Sequence, residues 1–441
     1  MKKFFYLLIS TLFLCYGCND DDNYKTYDVP VQLVYPEGSE FSAIEGLAVQ
    51  LTNGSTSYDA TTDATGLAVF TVPAGIYEAS ATDKRSSGGA VYLYNGIKSN
   101  IVVADSWAGE TIALNFTESR AGQVVIKELY VGGCQKDDES GAYQKDKYVI
   151  LYNNSDLVAE LDNLCLGMTT PLNATMNTNY DNDEGGNLKY ESEGWIPAGY
   201  GIWYLPATLT IEPYSQVVVA LYDAIDHTRT YTNSVNLANK DYYCTYDLSP
   251  GFTGYSAPSE QIPTSHYFLI KWYGAGIVWS LSTVCPAFFI FKTEGVTPQQ
   301  FADNVENRNQ YNNSSSAANT RLKVPVEWVL DGIEVFKYDA TNNKKRLTPA
   351  VDGGAMHLVN TYGYTSYRNV DQKATEAIEE NAGLLVYNYN KGTIYDGGDA
   401  STDPSGIDAE ASLKKGARIV YKDTNNSTND FHQRKQASLR D

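Results

Sequence analysis

Asp181-Asn182-Asp183-Glu184-Gly185 sets two carboxylates two residues apart ahead of a glycine, a spacing with which a tight turn can offer oxygen ligands to a hard cation such as Ca²⁺. Asp181 and Asp183 are therefore the candidate metal ligands. Ser192, not a glutamate, stands at the twelfth position counted from Asp181, so the EF-hand continuation is missing and an acidic solvated loop is the competing reading. Little else has the spacing of a catalytic centre. His227, His266, His357 and His432 are scattered, and no Gly-x-Ser-x-Gly elbow or phosphate-binding loop occurs. A pair of glycosidase-type acids remote in sequence is not singled out. No catalytic residues are assigned, and the expectation is a chain that is not an enzyme.

Aromatic residues are the more informative group. The chain has 35 Tyr against 14 Phe and 6 Trp. A plain core favours Phe, so the excess of Tyr points to rings with one wet end, as at binding surfaces. Trp195, Trp203, Tyr204, Trp272, Tyr273 and Trp279 are the candidate ligand-binding residues, suited to stacking on a sugar or docking on a protein. The alternative is that these rings fill a seam in the interior. Among 441 residues, 33 Lys and Arg stand against 53 Asp and Glu, for a net charge of −20. Nucleic acid is excluded as a partner, because phosphate binding needs a basic stripe that is absent.

The amino terminus gives a location. Met1-Lys2-Lys3 is a basic start and Phe4 to Leu14 an apolar run far too short to span a bilayer, so residues 1–17 read as a signal peptide. Leu14-Cys15-Tyr16-Gly17-Cys18 resembles the lipobox of bacterial lipoproteins, with Cys15 an unusual residue three places before the cleavage. That resemblance makes Cys18 the acylated first residue, carrying palmitate-type chains. Ordinary cleavage leaving Cys18 as a free thiol is the alternative. Residues 18–26 form an acidic tether. Its Asn19-Asp20-Asp21-Asp22-Asn23 resembles the surface-export signal of Bacteroidetes lipoproteins, which implies the outer face of the outer membrane; a solvated tether is the plainer reading. In that oxidising setting Cys134, Cys165, Cys244 and Cys285 allow two disulfides. Three connectivities are possible, and short separation favours Cys134 with Cys165 and Cys244 with Cys285.

The elements that must carry these residues are strands. Alternating apolar residues and recurrent turn clusters predict a mainly β fold of two antiparallel sandwiches with a few short helices. In the first, turns are expected at Asp63–Gly66 and Pro73–Gly75, with Leu67, Val69 and Thr71 on one face and Ile76 starting a strand across the same core. The pattern T-D-x-x-G-x-A-x-F-x-V-P-x-G-x-Y over residues 62–77 resembles the carboxypeptidase regulatory-like, prealbumin-type sandwich, which implies a non-catalytic module over 27–118. In the second, strands are expected over Gln123–Val131, Lys147–Tyr152 and a hairpin over Thr208–Ala220. I-x-E-L-Y followed by Y-V-I-L-Y-N-N-S-D resembles a lamin tail domain, an immunoglobulin-like sandwich, with its closing parts at Thr365–Asn369 and Asp423–Phe431. Residues 119–441 then carry insertions near 167–200 and 225–325. This stretch is similar to a Bacteroidetes lipoprotein family of unknown function, the Asp423–Phe431 and Ala437–Arg440 segments being the most specific. Helices are expected over Asp371–Ala382, closed by Gly383, and from Asp403-Pro404 to Leu413, stopped by Gly416.

The reading that follows is a non-enzymatic lipoprotein of the outer-membrane surface that captures a nutrient or docks onto a TonB-dependent transporter. The transporter is implied only by the resemblance. The alternative is a carbohydrate-binding or adhesive surface protein.

Overall fold

The computed structural model describes residues 25–440 except 55, 88–89, 121, 174–179, 250–251, 253, 277, 360–361 and 394–405. The signal peptide, Cys18 and the acidic run after it lie outside the described residues. The chain is mainly β, as its alternating pattern predicts, with the helices short.

The first unit uses eight strands: β1 (Thr26–Val34), β2 (Ala48–Asn53), β3 (Thr56–Thr61), β4 (Leu67–Pro73), β5 (Gly75–Ser87), β6 (Ala90–Val103), β7 (Ile112–Asn115) and β8 (Thr117–Arg120). A three-stranded sheet, β4-β1-β7, packs on a five-stranded one, β3-β2-β5-β6-β8, around Val29, Val31, Leu51, Phe70, Val72, Tyr77 and Ile101. The turn at Asp63–Gly66 forms because the Asp63 carboxylate accepts from the backbone N–H of Thr65 at 2.8 Å and of Leu67 at 3.1 Å, while Gly66 takes φ +82°. The expected face of β4 is reversed. Ala68, Phe70 and Val72 point inward, whereas Val69 is 52% exposed, and Ile76 is 61% exposed on β5. Both faces of β4 carry apolar residues, so alternation alone does not say which one the facing sheet covers.

The second unit is built on one thirteen-stranded sheet. Its order is Met356–Leu358, Val329–Lys337, Ala287–Lys292, Leu164–Met168, Gly201–Tyr204, Tyr267–Trp272, Tyr243–Thr245, Gln216–Ala220, Tyr148–Asn153, Val124–Tyr130, Thr365–Arg368, Phe431–Arg434 and Gly392–Thr393. It folds back on itself. Ile126 and Leu129, from late in the order, share one core with Ile333 and Val335, from early in it. Val124–Tyr130 and Tyr148–Asn153 are buried at every residue, because the back of the sheet is covered as well.

Two expectations change here, and the two proposed insertions take a place in the sheets. Within 225–325, strands Tyr243–Thr245, Tyr267–Trp272 and Ala287–Lys292 contribute to the large sheet. The 167–200 region meets that stretch in a separate sheet, Trp195–Ala198 pairing with Thr320–Pro325. Leu209–Ile211 and Gln216–Ala220 do not pair as a hairpin; the first joins Ala159–Leu161 and the second Tyr148–Asn153. The helix expected over Asp371–Ala382 stops early. Asp371 caps Gln372–Glu376, Ile378 turns extended, and a single 3-10 turn covers Glu379–Asn381. Asn381 is drawn sideways by hydrogen bonds to the carbonyls of Thr375 and Arg418, both at 2.7 Å. Beyond it Gly383 takes φ +76°. The second helix is Ala409–Leu413, capped by Asp408 and followed by Gly416 at φ +87°; its expected start lies outside the described residues.

Candidate functional site

The candidate ligand rings do not form one surface. Trp203 and Trp279 have no exposure at all, and Trp195, Tyr204 and Tyr273 are buried. Trp203 packs edge-on to Phe252 and lies against Tyr255. The indole N–H of Trp279 donates to the Gly201 carbonyl at 2.9 Å, and the Tyr255 hydroxyl donates to the Trp279 carbonyl. These rings staple the segment around residues 252–281 over the sheet. Trp272 is the half-buried exception, stacked on Tyr200 with centroids 5.9 Å apart and planes at 12°. A Cβ on Gly201 or Gly276 would run into the Trp272 ring, so both glycines give it room.

The Tyr excess has an interior explanation as well. Hydroxyls of Tyr77, Tyr152 and Tyr190 donate to the carbonyls of Pro73, Ile419 and Arg346 at 2.8, 2.8 and 2.6 Å. Tyr148 donates to the Glu128 carboxylate at 2.8 Å. Tyr thus fills core volume as Phe would and also satisfies a buried acceptor on a crossing segment.

The Asp181 and Asp183 carboxylates have protein partners. Buried Asp181 takes a bidentate pair from Arg321, at 2.9 and 3.1 Å, and Asp183 accepts from the backbone and side chain of Asn187. Among the described residues no group of three or more His, Cys, Asp and Glu side chains is placed to hold a metal. Asp181 faces a guanidinium because the residue that completes its shell is 140 positions away, which the local spacing does not reveal.

The four cysteines of the described chain are free, buried thiols rather than disulfides. Each is walled by different neighbours: Cys134 opposite Tyr143, Cys165 between Tyr204 and Phe291, Cys244 between Ala220 and Tyr267, and Cys285 beside Ser282. Burial pushes the Cys134 thiol up to about 12 and raises Cys165 and Cys244 as well. A thiol reagent without reductant should therefore react slowly with the folded protein and count all four once it is unfolded. Fewer than four would restore the bridges.

The densest chemistry lies where the two units meet, in the Asp423–Phe431 segment. Arg368, 1% exposed, is its centre. The guanidinium donates to the Ile126 carbonyl at 2.7 Å, to the Lys422 carbonyl at 3.0 Å and to Asp331. It lies 3.6 Å from Asp423, 3.7 Å from Asp430 and 4.4 Å from the Phe431 ring centroid. Asp430 also accepts from the backbone N–H groups of Thr424 and Asn426, folding the segment into a loop. That loop reaches both units. Asp352 accepts from Ser427, Asn95 of the first sandwich donates to the Thr424 carbonyl at 2.9 Å, and Asn426 donates to Thr82 at 3.1 Å. Gly353 and Gly354 let the strands of contact close: a Cβ would meet Asn95 at 2.7 Å and Asn426 at 2.0 Å.

Two more buried charges belong to the same construction. A bulge against Tyr148–Asn153 leaves Lys127 unpaired in the ladder and aims it at Gln216 and Glu410, both at 2.6 Å. Glu128 is held by Tyr148 and by the backbone and hydroxyl of Ser438, which docks the carboxy-terminal Ala437–Arg440 segment. Sequence reading marked these motifs but missed Asp331, Asp352 and Lys127 as their partners. Charged residues inside strands that are mostly apolar, Lys127 and Glu128 in one and Asp331 and Glu334 in another, are the signal that was available.

One cation facing three carboxylates has a pH consequence. Burial, reinforced by Asp423 and opposed by Arg368, pushes the Asp331 carboxyl up to about 7 and that of Asp430 to about 6. An unfolded Asp titrates near ~4. The folded chain thus keeps protons that the unfolded chain releases, and the stability they confer is lost as pH rises from about 4 through about 7. His432, held at about 3 by burial, acts in the opposite sense, but only below about pH 6.5. Melting temperature should fall as pH is raised from about 6 to about 8, and Asp331→Asn should flatten the fall. A parent protein with no slope over that range would overturn this assignment.

Fold and site together define a mainly β chain of two joined units whose buried polar groups hold it together. It belongs to the family described as "Protein of unknown function (DUF4876)", whose pattern matches residues 212–438. A crystal structure of a DUF4876 family protein from Bacteroides thetaiotaomicron VPI-5482 is similar at 17% identity and a TM-score of 0.49, over 92% of this chain and 94% of that one. No curated protein matches.

Proposed function

We propose that this protein is a non-enzymatic lipoprotein, anchored through Cys18 at the outer-membrane surface, where its body docks onto a TonB-dependent transporter or captures a nutrient for it. The first sandwich serves as a prealbumin-type spacer and the lamin tail-like body presents the contact surface. The observation that supports a holding role is the commitment of these buried ionisable groups to folding contacts: Arg368, Asp331, Asp423 and Asp430 fix the loop that meets the first sandwich, and Asp181 is paired with Arg321. Mass spectrometry of the mature amino terminus should find acyl chains on Cys18, and purification from native outer membranes should recover a transporter with the protein. Recovery of this protein alone would sink the docking reading.

The half-buried Tyr200–Trp272 stack favours a second reading, a glycan-binding surface. A glycan array should then show saturable binding that Trp272→Ala abolishes while leaving the fold intact.

A further inference from the structure

The end of the first sandwich where β1 begins is poor in charge and rich in exposed apolar side chains. Thr26, the first residue of β1, pairs with Pro73, and the Pro73-Ala74-Gly75 turn leads into Ile76. Ile76 pairs with Val102 across β5 and β6, and the two are 61% and 58% exposed. Beside them the 104–109 loop brings the half-buried Trp107, whose indole N–H donates to the Asp28 carbonyl at 2.9 Å. Over residues 72–77 and 101–109 the only charged side chain is Asp105, and it is paired with Lys25 at 2.9 Å and accepts from the Tyr27 hydroxyl at 2.6 Å. Apolar side chains flanked by Trp and Tyr suit the headgroup level of a bilayer.

The covalent chain says what lies next to it. Seven residues separate Cys18 from Thr26. Eight Cα steps span at most ~29 Å, so an acylated Cys18 keeps this end of the sandwich, where the described chain begins, in the vicinity of the lipid. We propose that the Ile76, Val102 and Trp107 end rests on the membrane surface as a second, non-covalent contact beside the acyl chains. This rests on the acylation of Cys18 proposed above. The contact supplements the anchor and sets the orientation of the protein, with β1 leading away from the bilayer and the 185–186 turn of the second unit beside Asn100 at the edge of the same end.

The test uses the acylated full-length protein in vesicles of phosphatidylethanolamine and phosphatidylglycerol. A polarity-sensitive fluorophore is placed on Ile76→Cys and, at the opposite end of β4, on Ala64→Cys. The native thiols at Cys134, Cys165, Cys244 and Cys285 are buried and do not compete for the label. The expected result is a blue shift and strong quenching by spin-labelled lipid at position 76, with neither at position 64. Equal water exposure at both positions, or equal quenching at both, would overturn the proposal. Mass spectrometry of the same sample separates the two ideas: an unmodified Cys18 removes the anchor itself, whereas an acylated Cys18 with a water-exposed label at 76 removes only the surface contact. Unchanged melting temperatures for both variants establish that the labels report on folded protein.

Discussion

Arg368→Leu is expected to cost about 3–5 kcal/mol of folding free energy, a large share of the ~5–15 kcal/mol that holds a domain together. The reason is charge arithmetic inside a low-dielectric site. Asp331, Asp423 and Asp430 are all buried and share the one guanidinium. Removing it leaves carboxylates facing one another, and also leaves the carbonyls of Ile126 and Lys422 without their donors. Because this loop also carries the contacts to Asn95 and Thr82, the damage reaches the joint between the two units. Urea unfolding should show a midpoint far below the parent's, with an earlier partial transition as the first sandwich loosens. A second substitution, Asp331→Leu, should recover part of the loss by removing an unpaired charge. A midpoint within experimental error of the parent's would mean that Arg368 is not the centre of the joint.

Trp203→Ala is expected to cost about 3–5 kcal/mol, the range for emptying a fully buried large ring. Trp203 has no exposed surface and shares its core with Leu166, Tyr255, Phe268 and Trp279. Few of those neighbours can collapse into the space, since they stand on paired strands or are tied to backbone carbonyls. Trp272→Ala, at a half-buried ring, should cost about 1–2 kcal/mol. Comparing denaturant midpoints for the two variants separates a folding role from a recognition role. A Trp203→Ala protein of parental stability that had lost a ligand would return this ring to the binding surface.

Much of the strand content was legible in sequence because alternation is a local property. The strands at Val124–Tyr130, Tyr148–Asn153 and β4 lie where the pattern puts them. What alternation leaves open is which face a second layer will cover. In β4 that was decided by the sheet carrying Tyr77 and Ile101, which covers Phe70 and Val72 and leaves Val69 in water. The helix signals at Asp371 and Gly383 were likewise sound as punctuation, yet Asn381 found partners on the backbone of Arg418 and bent the chain between them. Tyr content leaves two readings open for a related reason. Composition counts hydroxyls but cannot say whether their partner is solvent or a carbonyl on a segment far away in sequence.

By itself the sequence determined the class of the chain: strand-rich, acidic, short of helices, and carrying Asp423–Phe431 and Ala437–Arg440 as its distinctive segments. The first three need only side-chain chemistry and spacing between near neighbours; the two segments stand out through their resemblance to a family. Tertiary structure alone decided that Asp181 meets Arg321, that Lys127 meets Glu410, that Arg368 gathers three carboxylates, and that the cysteines stay apart. Each of those depends on segments brought together by a sheet that folds back on itself, and a buried charge takes its meaning from whichever partner that folding delivers.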